Sequence, residues 1–510
     1  MKKIVTLLVC LLCFGTANSQ EVIYHVFQRS FYDSNGDGHG DLEGIRQKLD
    51  YLKELGVTSI LLTPLYQSDF YHNYFATNFE KIDLKYGVMK NYRDLVREAH
   101  QRGFKIYQDV EMQYVTGRHP WFTESYKNPK SEYSEYLYYN DKNNEKPYYF
   151  FDIPEFTLYD NKKEQIIVVN MKSPKVKEYT FNVLKFWADP DGDGNFADGV
   201  DGFRLDHMMD NLDNSGKLTN LFADFWQPLL TDLKKINPDL KIVAEQADWA
   251  SYGHDYLTKG GVDRVFAFRL KYAINTFDKQ KIAAAADSTF NYMPKGKEQV
   301  VFLENHDTSR FASEEGMNLG KLKVAAALNI LIGGIPSIYY GQEIGMKGTQ
   351  LKGKTDGNDI PIREAFEWYA DGEGKGMALW YKDTGMWWDN TNMKPNDGIS
   401  LEEQRKDKKS LWNFYKELIH IRRSQKAVAL GEYKQAKNSN DKVFSFTRSY
   451  NGEKVLVFVN LSGEEQALSI QETINVNNPK VLIGSEAGRV SKGGRTLIMP
   501  PYDVQVWRLY

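Results

Sequence analysis

The sequence predicts an α/β fold, a (β/α)8 TIM barrel with a small domain inserted after its third strand and a β-sandwich domain at the C-terminus. Three observations predict it. From residue 22, short β-rich apolar runs alternate with amphipathic helical patterns, the signature of parallel βαβ units. The strand candidates number eight, as a closed barrel of this kind requires. Beyond residue 427 the period changes to strict alternation about an Asn451-Gly452 turn, which reads as hairpins of a separate sheet domain.

Taken in order, strands are expected at Val22–Gln28, Thr58–Thr63, Phe104–Val110, Asp201–Asp206, Lys241–Glu245, Asp263–Phe266, Gln299–Glu304 and Ile335–Gly341. Between the first two, Leu42, Ile45, Leu49, Leu52 and Leu55 recur at spacings of three and four, so one helix is expected there, stopped by Gly56. The stretch after the third strand, about 111–172, is too long for a loop and rich in Tyr, Asn and Lys; it reads as an inserted domain beside the barrel mouth. The domains expected are therefore a signal peptide at 1–20, a catalytic barrel at 21–427 and a sandwich at 428–510.

The signal-peptide reading rests on Lys2 and Lys3, the apolar stretch Ile4 to Phe14 and the small residues Ala17-Asn18-Ser19 before Gln20. Its removal would take Cys10 and Cys13, the two cysteines of the chain, so neither a disulfide nor thiol chemistry is expected in an exported, periplasmic or secreted product. Later apolar runs fall short of the ~18 residues of a membrane span, so no transmembrane segment is expected. Lys plus Arg number 65 against 68 Asp plus Glu, with no long run of either sign, which excludes an electrostatic footprint for nucleic acid. Aromatic residues reach 14% (32 Tyr, 28 Phe, 10 Trp). Flat rings with polar edges suit sugar binding, and a Tyr-rich core would account for them equally well.

A barrel enzyme carries its chemistry at the carboxyl ends of its strands, and acids collect there. The third strand ends at Asp109, the fourth at Arg204-Leu205-Asp206-His207, the fifth at Glu245, and the seventh runs into Asn305-His306-Asp307. A single carboxylate at such a place is usually a helix cap; four on one rim point to catalysis. Arg204 and Asp206 are two apart on a strand and share a face, where the guanidinium would hold the carboxylate ionised, as a nucleophile needs.

These residues stand in recognisable motifs: "GVTSILLTPLYQS" with Tyr74, "GFKIYQDV", "GVDGFRLDH", "IVAE", "FLENHDTSR" and "GIPSIYYGQEIGM", in that order from Ile23 onward. In them the chain resembles the α-amylase family, glycoside hydrolase family 13, as a secreted bacterial α-amylase or neopullulanase-like member. The resemblance implies Asp206 as nucleophile, Glu245 as general acid and then base, and Asp307 as the acid that holds sugar hydroxyls and stabilises the transition state. It implies Tyr74, Asp109, Arg204, His207 and His306 as substrate-binding residues, with Tyr74 stacking on the sugar. Retaining glycosidases need two carboxyls ~5 to 5.5 Å apart, and adjacent strands ~4.8 Å apart can supply them. The acid must be protonated at rest, so the surroundings of Glu245 are expected to raise its pKa relative to that of Asp206.

The sequence departs from the family at the third strand, where Asp109-Val110-Glu111-Met112-Gln113-Tyr114 replaces the usual Asp, three residues, Asn-His. The Gln113 amide oxygen could still ligate the calcium that the Asn normally holds, and the Tyr114 hydroxyl could still reach a sugar. Two loops look like oxygen cages for calcium. The first is Asp33, Asn35, Asp37, His39 and Asp41, alternating with glycines, where the resemblance also implies a metal; the alternative is a solvated turn. The second is Asp189, Asp191 and Asp193 with Asn195 and Asp198, the first half of an EF-hand-like loop without its closing Glu, or else a plain Asp/Gly loop.

The expected function is retaining hydrolysis of α-1,4-glucosidic bonds in starch-like α-glucans or maltooligosaccharides through a covalent glucosyl-enzyme, with structural Ca2+. The alternatives are a cyclomaltodextrinase, neopullulanase, α-glucosidase or glucanosyltransferase of the same family and, in another class, a non-catalytic glucan-binding protein. Intact Asp206, Glu245 and Asp307 argue against the last.

Overall fold

The computed structural model describes residues 20–353, 355–469, 479–484, 489–490 and 496–509. The segment read as a signal peptide, with Cys10 and Cys13, lies outside the described residues apart from Gln20.

Eight parallel strands close into a barrel: β1 (Ile23–Val26), β2 (Ser59–Leu62), β3 (Lys105–Val110), β4 (Gly202–Met208), β5 (Lys241–Gln246), β6 (Arg264–Phe266), β7 (Glu298–Val301) and β8 (Ile335–Tyr339). Closure is made by β1, whose Ile23 pairs with Ser59 on one side and Ser337 on the other. Alternation along the strands divides the apolar residues into two cores. Ile23, Leu61, Tyr107, Val243, Phe266, Val300 and Ile335 form a cluster of their own within the barrel, while Tyr24, Ile60, Ile106, Val265 and Val301 join the larger core under the helices. The barrel floor is ionic. Fully buried Arg264 reaches Glu21 at 2.8 Å, Glu298 at 2.9 Å and the Tyr107 hydroxyl at 3.2 Å.

The helix expected between the first two strands is two helices, α1 (Leu42–Gln47) and α2 (Leu49–Leu55). They break at Lys48, whose ammonium sits over the rings of Tyr32 and Trp368, 3.8 and 4.3 Å from the centroids. Asp41 caps α1 by accepting from the Gly44 amide at 2.6 Å. Gly56 ends α2 at φ 98°, a left-handed conformation that favours glycine. Helix α3 (Met89–Gln101) precedes β3 and α4 (Pro174–Ala188) precedes β4.

The lobe beside the mouth is built from two excursions rather than from the stretch 111–172 alone. Its four-stranded sheet runs Tyr66–Ser68, Ala76–Ile82, Tyr114–Thr116 and Ile166–Val168, so strands from the loop after β2 complete it through the pairing of Ala76 with Val115. At the C-terminus a five-stranded sheet (432–435, 443–450, 453–460, 504–509 and 480–483) accompanies a three-stranded one. Asn451 and Gly452 have φ of 45° and 85°, as a two-residue hairpin turn between paired Tyr450 and Glu453 requires. No helix among the described residues is long and apolar enough to cross a membrane.

Candidate active site

Four acids converge on one guanidinium at the carboxyl ends of the strands. Arg204 on β4 is flanked in register by Asp109 on β3 and Val243 on β5, and it points to the same side as Asp206. One of its terminal nitrogens bonds both Asp109 oxygens, at 2.8 and 2.9 Å, and also contacts Asp206. The other lies 3.0 Å from Glu245 and 4.0 Å from Asp307. Leu205 pairs with Ala244, so Asp206 and Glu245 follow on adjacent strands and both reach Arg204. The side chains of Asp206, Glu245 and Asp307 keep 16%, 8% and 29% exposure, so the three open onto the mouth while Arg204 and Asp109 lie beneath.

A second layer fixes these groups. The Tyr74 hydroxyl donates to Asp109 at 2.7 Å and meets His306 Nε2 at 2.5 Å, and its ring stacks on the His306 ring with centroids 5.1 Å apart. Tyr74 therefore already has one face covered and is almost wholly buried. His306 Nε2 is also 3.0 Å from Asp307, whose other oxygen lies 3.3 Å from Arg363. Arg363 in turn donates to the His306 carbonyl at 2.8 Å. Sequence reasoning missed Arg363, which directly follows a 3-10 helix (Asp356–Ile362) after β8 where no period marks it, and His25, whose ring meets the His306 ring edge-on at 5.1 Å. One ligand atom each of His25, Asp109 and His306 lies within 4.8 Å of the others, but the partners just named tie Asp109 and His306 into the acid cluster.

Burial dominates the electrostatics. It pushes the Asp109 carboxyl up to about 7, although Arg204 and Tyr74 oppose the rise. Burial also raises Asp206 well above the carboxylate range; Arg204 opposes it, and Glu245, Asp109 and Asp307 add to it. Arg204 meets Asp206 as expected, and three further carboxyls share the same guanidinium. Like-charge repulsion from these neighbours therefore works against the ionisation that Arg204 favours at Asp206. Burial, then Arg204 and Arg363, hold His306 neutral.

The third-strand departures have a structural resolution. The Gln113 amide nitrogen donates to the carbonyls of Asp206 and His207, at 2.8 and 2.9 Å, and its oxygen accepts from the Met112 amide at 3.1 Å. Both ends of the side chain thus bond backbone groups, which ties the extension of β3 to the end of β4. The reading of Tyr114 is corrected. Its hydroxyl donates to Asp213, its ring packs edge-on against Phe75 and Phe150, and it is 1% exposed, so it faces the lobe and not the sugar-side mouth. His207 stays at the rim with φ 45°, its amide on Glu245 at 3.2 Å and its ring beside Phe151, 5.9 Å away.

Neither candidate metal loop touches this cluster. In the first, Asp33 accepts amide hydrogens from Asn35, Gly36 and Gly38, Asp37 pairs with Lys85 at 3.1 Å, His39 lies against Asp37, and Asp41 caps α1. The second precedes β4, at the opposite end of the barrel. There Asp189, Asp191 and Asp198 bring carboxylate oxygens within 4.8 Å of one another, and the expected ligand Asp193 is outside the group.

Residues 25–431 match the family described as "Alpha amylase, catalytic domain", and residues 443–504 match "Alpha-amylase SusG C-terminal domain". Alpha-amylase 3 of Dictyoglomus thermophilum is 32% identical over 465 residues, 90% of this chain and 86% of its own. The oligo-1,6-glucosidase of Parageobacillus thermoglucosidasius is 25% identical, covering 96% of this chain and 98% of its own. The solved structure of an alpha-amylase from H. orenii superposes with a TM-score of 0.78 at 26% identity, over 96% of this chain and all of that one.

Proposed function

The chain belongs to the α-amylase family of glycoside hydrolases, and from that premise we propose that it cleaves α-1,4-glucosidic bonds of starch-like glucans or maltooligosaccharides with retention of configuration. The observation that carries the reading is the contact of Arg204 with both Asp206 and Glu245 from neighbouring strands. In this proposal an Asp206 oxygen attacks the anomeric carbon as Glu245 passes its proton to the departing glycosidic oxygen, giving a glucosyl ester. Glu245, now a carboxylate, then takes a proton from water, whose oxygen displaces Asp206 and restores both groups. Asp307 would hold sugar hydroxyls, aligned by Arg363 and His306, while Tyr74, Asp109 and His207 border the reacting sugar.

The test is to digest starch, maltooligosaccharides, cyclodextrin and pullulan and to follow products by chromatography and the first-formed anomer by NMR. Internal cuts in starch with α-anomers released first are expected; β-anomers first would overturn retention. Release of glucose alone would instead support an exo-acting glucosidase, the reading favoured by the full-length similarity to oligo-1,6-glucosidases. Export is part of the proposal, carried by residues 1–20, and sequencing the N-terminus of protein collected outside the cytoplasm tests it. So is a structural calcium on Asp33, Asn35, Asp37, the His39 carbonyl and Asp41, whose all-oxygen donors on a turn at Gly36 and Gly38 suit a hard cation.

A further inference from the structure

We propose that Asp189, Asp191 and Asp198 form a second divalent-cation site, selective for calcium, at the amino-terminal end of the barrel where β4 begins. The chain closes a ring there. Helix α4 ends at Ala188, the loop turns through Gly192 and Gly194 at φ 70° and 78°, and Gly199 returns against the helix end. A Cβ on Gly199 would stand 2.0 Å from the Ala188 carbonyl oxygen, so this closure needs glycine.

The side chains inside the ring ask for a cation. Asp189 and Asp198 are 5% and 3% exposed, yet Asp189 Oδ1 and both oxygens of Asp198 have no hydrogen-bond donor among the described residues. Buried carboxylates without donors are costly unless an ion compensates them. The nearest cation is Arg97 of α3, which stands off at 3.6 Å from Asp198 and 3.8 Å from Asp191 and is half-exposed. Arg93 on the same helix acts on Asp198 from further away. Two arginines against three acids leave the cluster negative, and neither satisfies Asp198.

The donor set is hard oxygen throughout, with neither His nor Cys in the cluster, which excludes the usual zinc environments and suits calcium. The remaining Asp189 oxygen accepts the Gly194 amide at 3.1 Å, so the loop already winds about its first acid, as calcium loops do at their sixth position. Burial and then the adjacent Asp191 carboxyl raise the pKa of Asp198, which is the strain a bound cation would relieve. Bound there, the ion would tie the end of α4 to the start of β4 beside α3, opposite the mouth, and so act on stability.

The test is isothermal titration of the calcium-stripped full chain with CaCl2, alongside Asp191→Asn, which alters a partly exposed ligand, Asp198→Asn, and Asp37→Ala in the first loop. Wild type is expected to show a binding event that Asp191→Asn weakens at least tenfold and Asp198→Asn removes, with Asp37→Ala leaving it in place. Activity well below melting should match wild type for Asp191→Asn, and magnesium should compete poorly. Unchanged stoichiometry and affinity in Asp191→Asn, or no calcium event in wild type beyond the one that Asp37→Ala removes, would overturn the site. Native mass spectrometry of the wild type counts bound calcium even if Asp198→Asn fails to fold.

Discussion

Gln113 holds the peptide carbonyl of Asp206 at 2.8 Å, and through the same amide nitrogen the carbonyl of His207 at 2.9 Å. This is the point where the β4–β5 register shifts, between Leu205 and Met208, and where His207 takes φ 45°. A strained peptide next to the proposed nucleophile is thus pinned by one neutral side chain from β3's extension. Strain of this kind persists only where its surroundings over-determine it.

Gln113→Met keeps the length and removes both donors, leaving two buried carbonyls unsatisfied at ~1 to 3 kcal/mol each. Turnover is expected to fall at least tenfold with KM little changed, because the loss displaces Asp206 rather than a group that binds sugar. Gln113→Glu should be worse, since a carboxylate would face two carbonyl oxygens. Steady-state kinetics on maltooligosaccharides check this; wild-type kcat in both variants would show that the clamp is idle.

The barrel and its acids were legible because strand spacing is periodic and Arg204–Asp206 carries its own geometric meaning. What the sequence left open depends on groups brought together from distant segments. Arg363 reaches Asp307 from a turn 56 residues later, and Tyr114 is drawn to Asp213 across 99 residues, neither marked by any local pattern. At the calcium-like loop the alternation of acids suggested Asp189, Asp191 and Asp193 with Asn195 and Asp198, and the turn brings Asp189, Asp191 and Asp198 together while leaving Asp193 outside. The lobe was underestimated for the same reason, since the pairing of Ala76 with Val115 joins two separate stretches.

Asp206→Asn and Glu245→Gln should each lower turnover of an unactivated glucan by several orders of magnitude, because each removes one of the two chemical roles. Their response to a good leaving group should differ. An aryl glycoside with an acidic phenol needs little protonation, so glycosylation should recover in Glu245→Gln and not in Asp206→Asn. Pre-steady-state release of the phenol measures this step directly, and equal recovery in both would contradict the assigned roles.

Thermal stability should decline as pH rises from about 4 to 8. Burial pushes Asp109, Glu343, Asp356 and Glu364 up to about 7 and Glu367 to about 8. A carboxyl raised in this way binds a proton in the folded state that the unfolded chain has already lost, so its contribution is full below the unfolded value and disappears as pH passes the folded one. Glu367 owes its rise to burial first, then to Asp397 and Glu364. Glu367→Gln should therefore flatten the decline in Tm across this range, with a gain of a few degrees at pH 8. An unchanged slope in scanning calorimetry would mean that Glu367 is ionised in the fold.

Tyr114→Phe distinguishes packing from sugar contact. The hydroxyl is buried against Asp213, whose second oxygen receives the Phe151 amide at 3.4 Å beside the His207 ring, so removing it loosens the lobe where it meets the rim. A buried hydrogen bond to a charged group is worth ~1.5 to 3 kcal/mol, and a drop in Tm is expected with kcat and KM within a few-fold of wild type. Asp213→Asn should produce much of the same drop, and the double variant should cost less than the two losses added, because both remove one interaction. A large rise in KM for Tyr114→Phe with Tm unchanged would instead place the hydroxyl on the substrate, and additive losses would mean that Tyr114 and Asp213 stabilise the lobe separately.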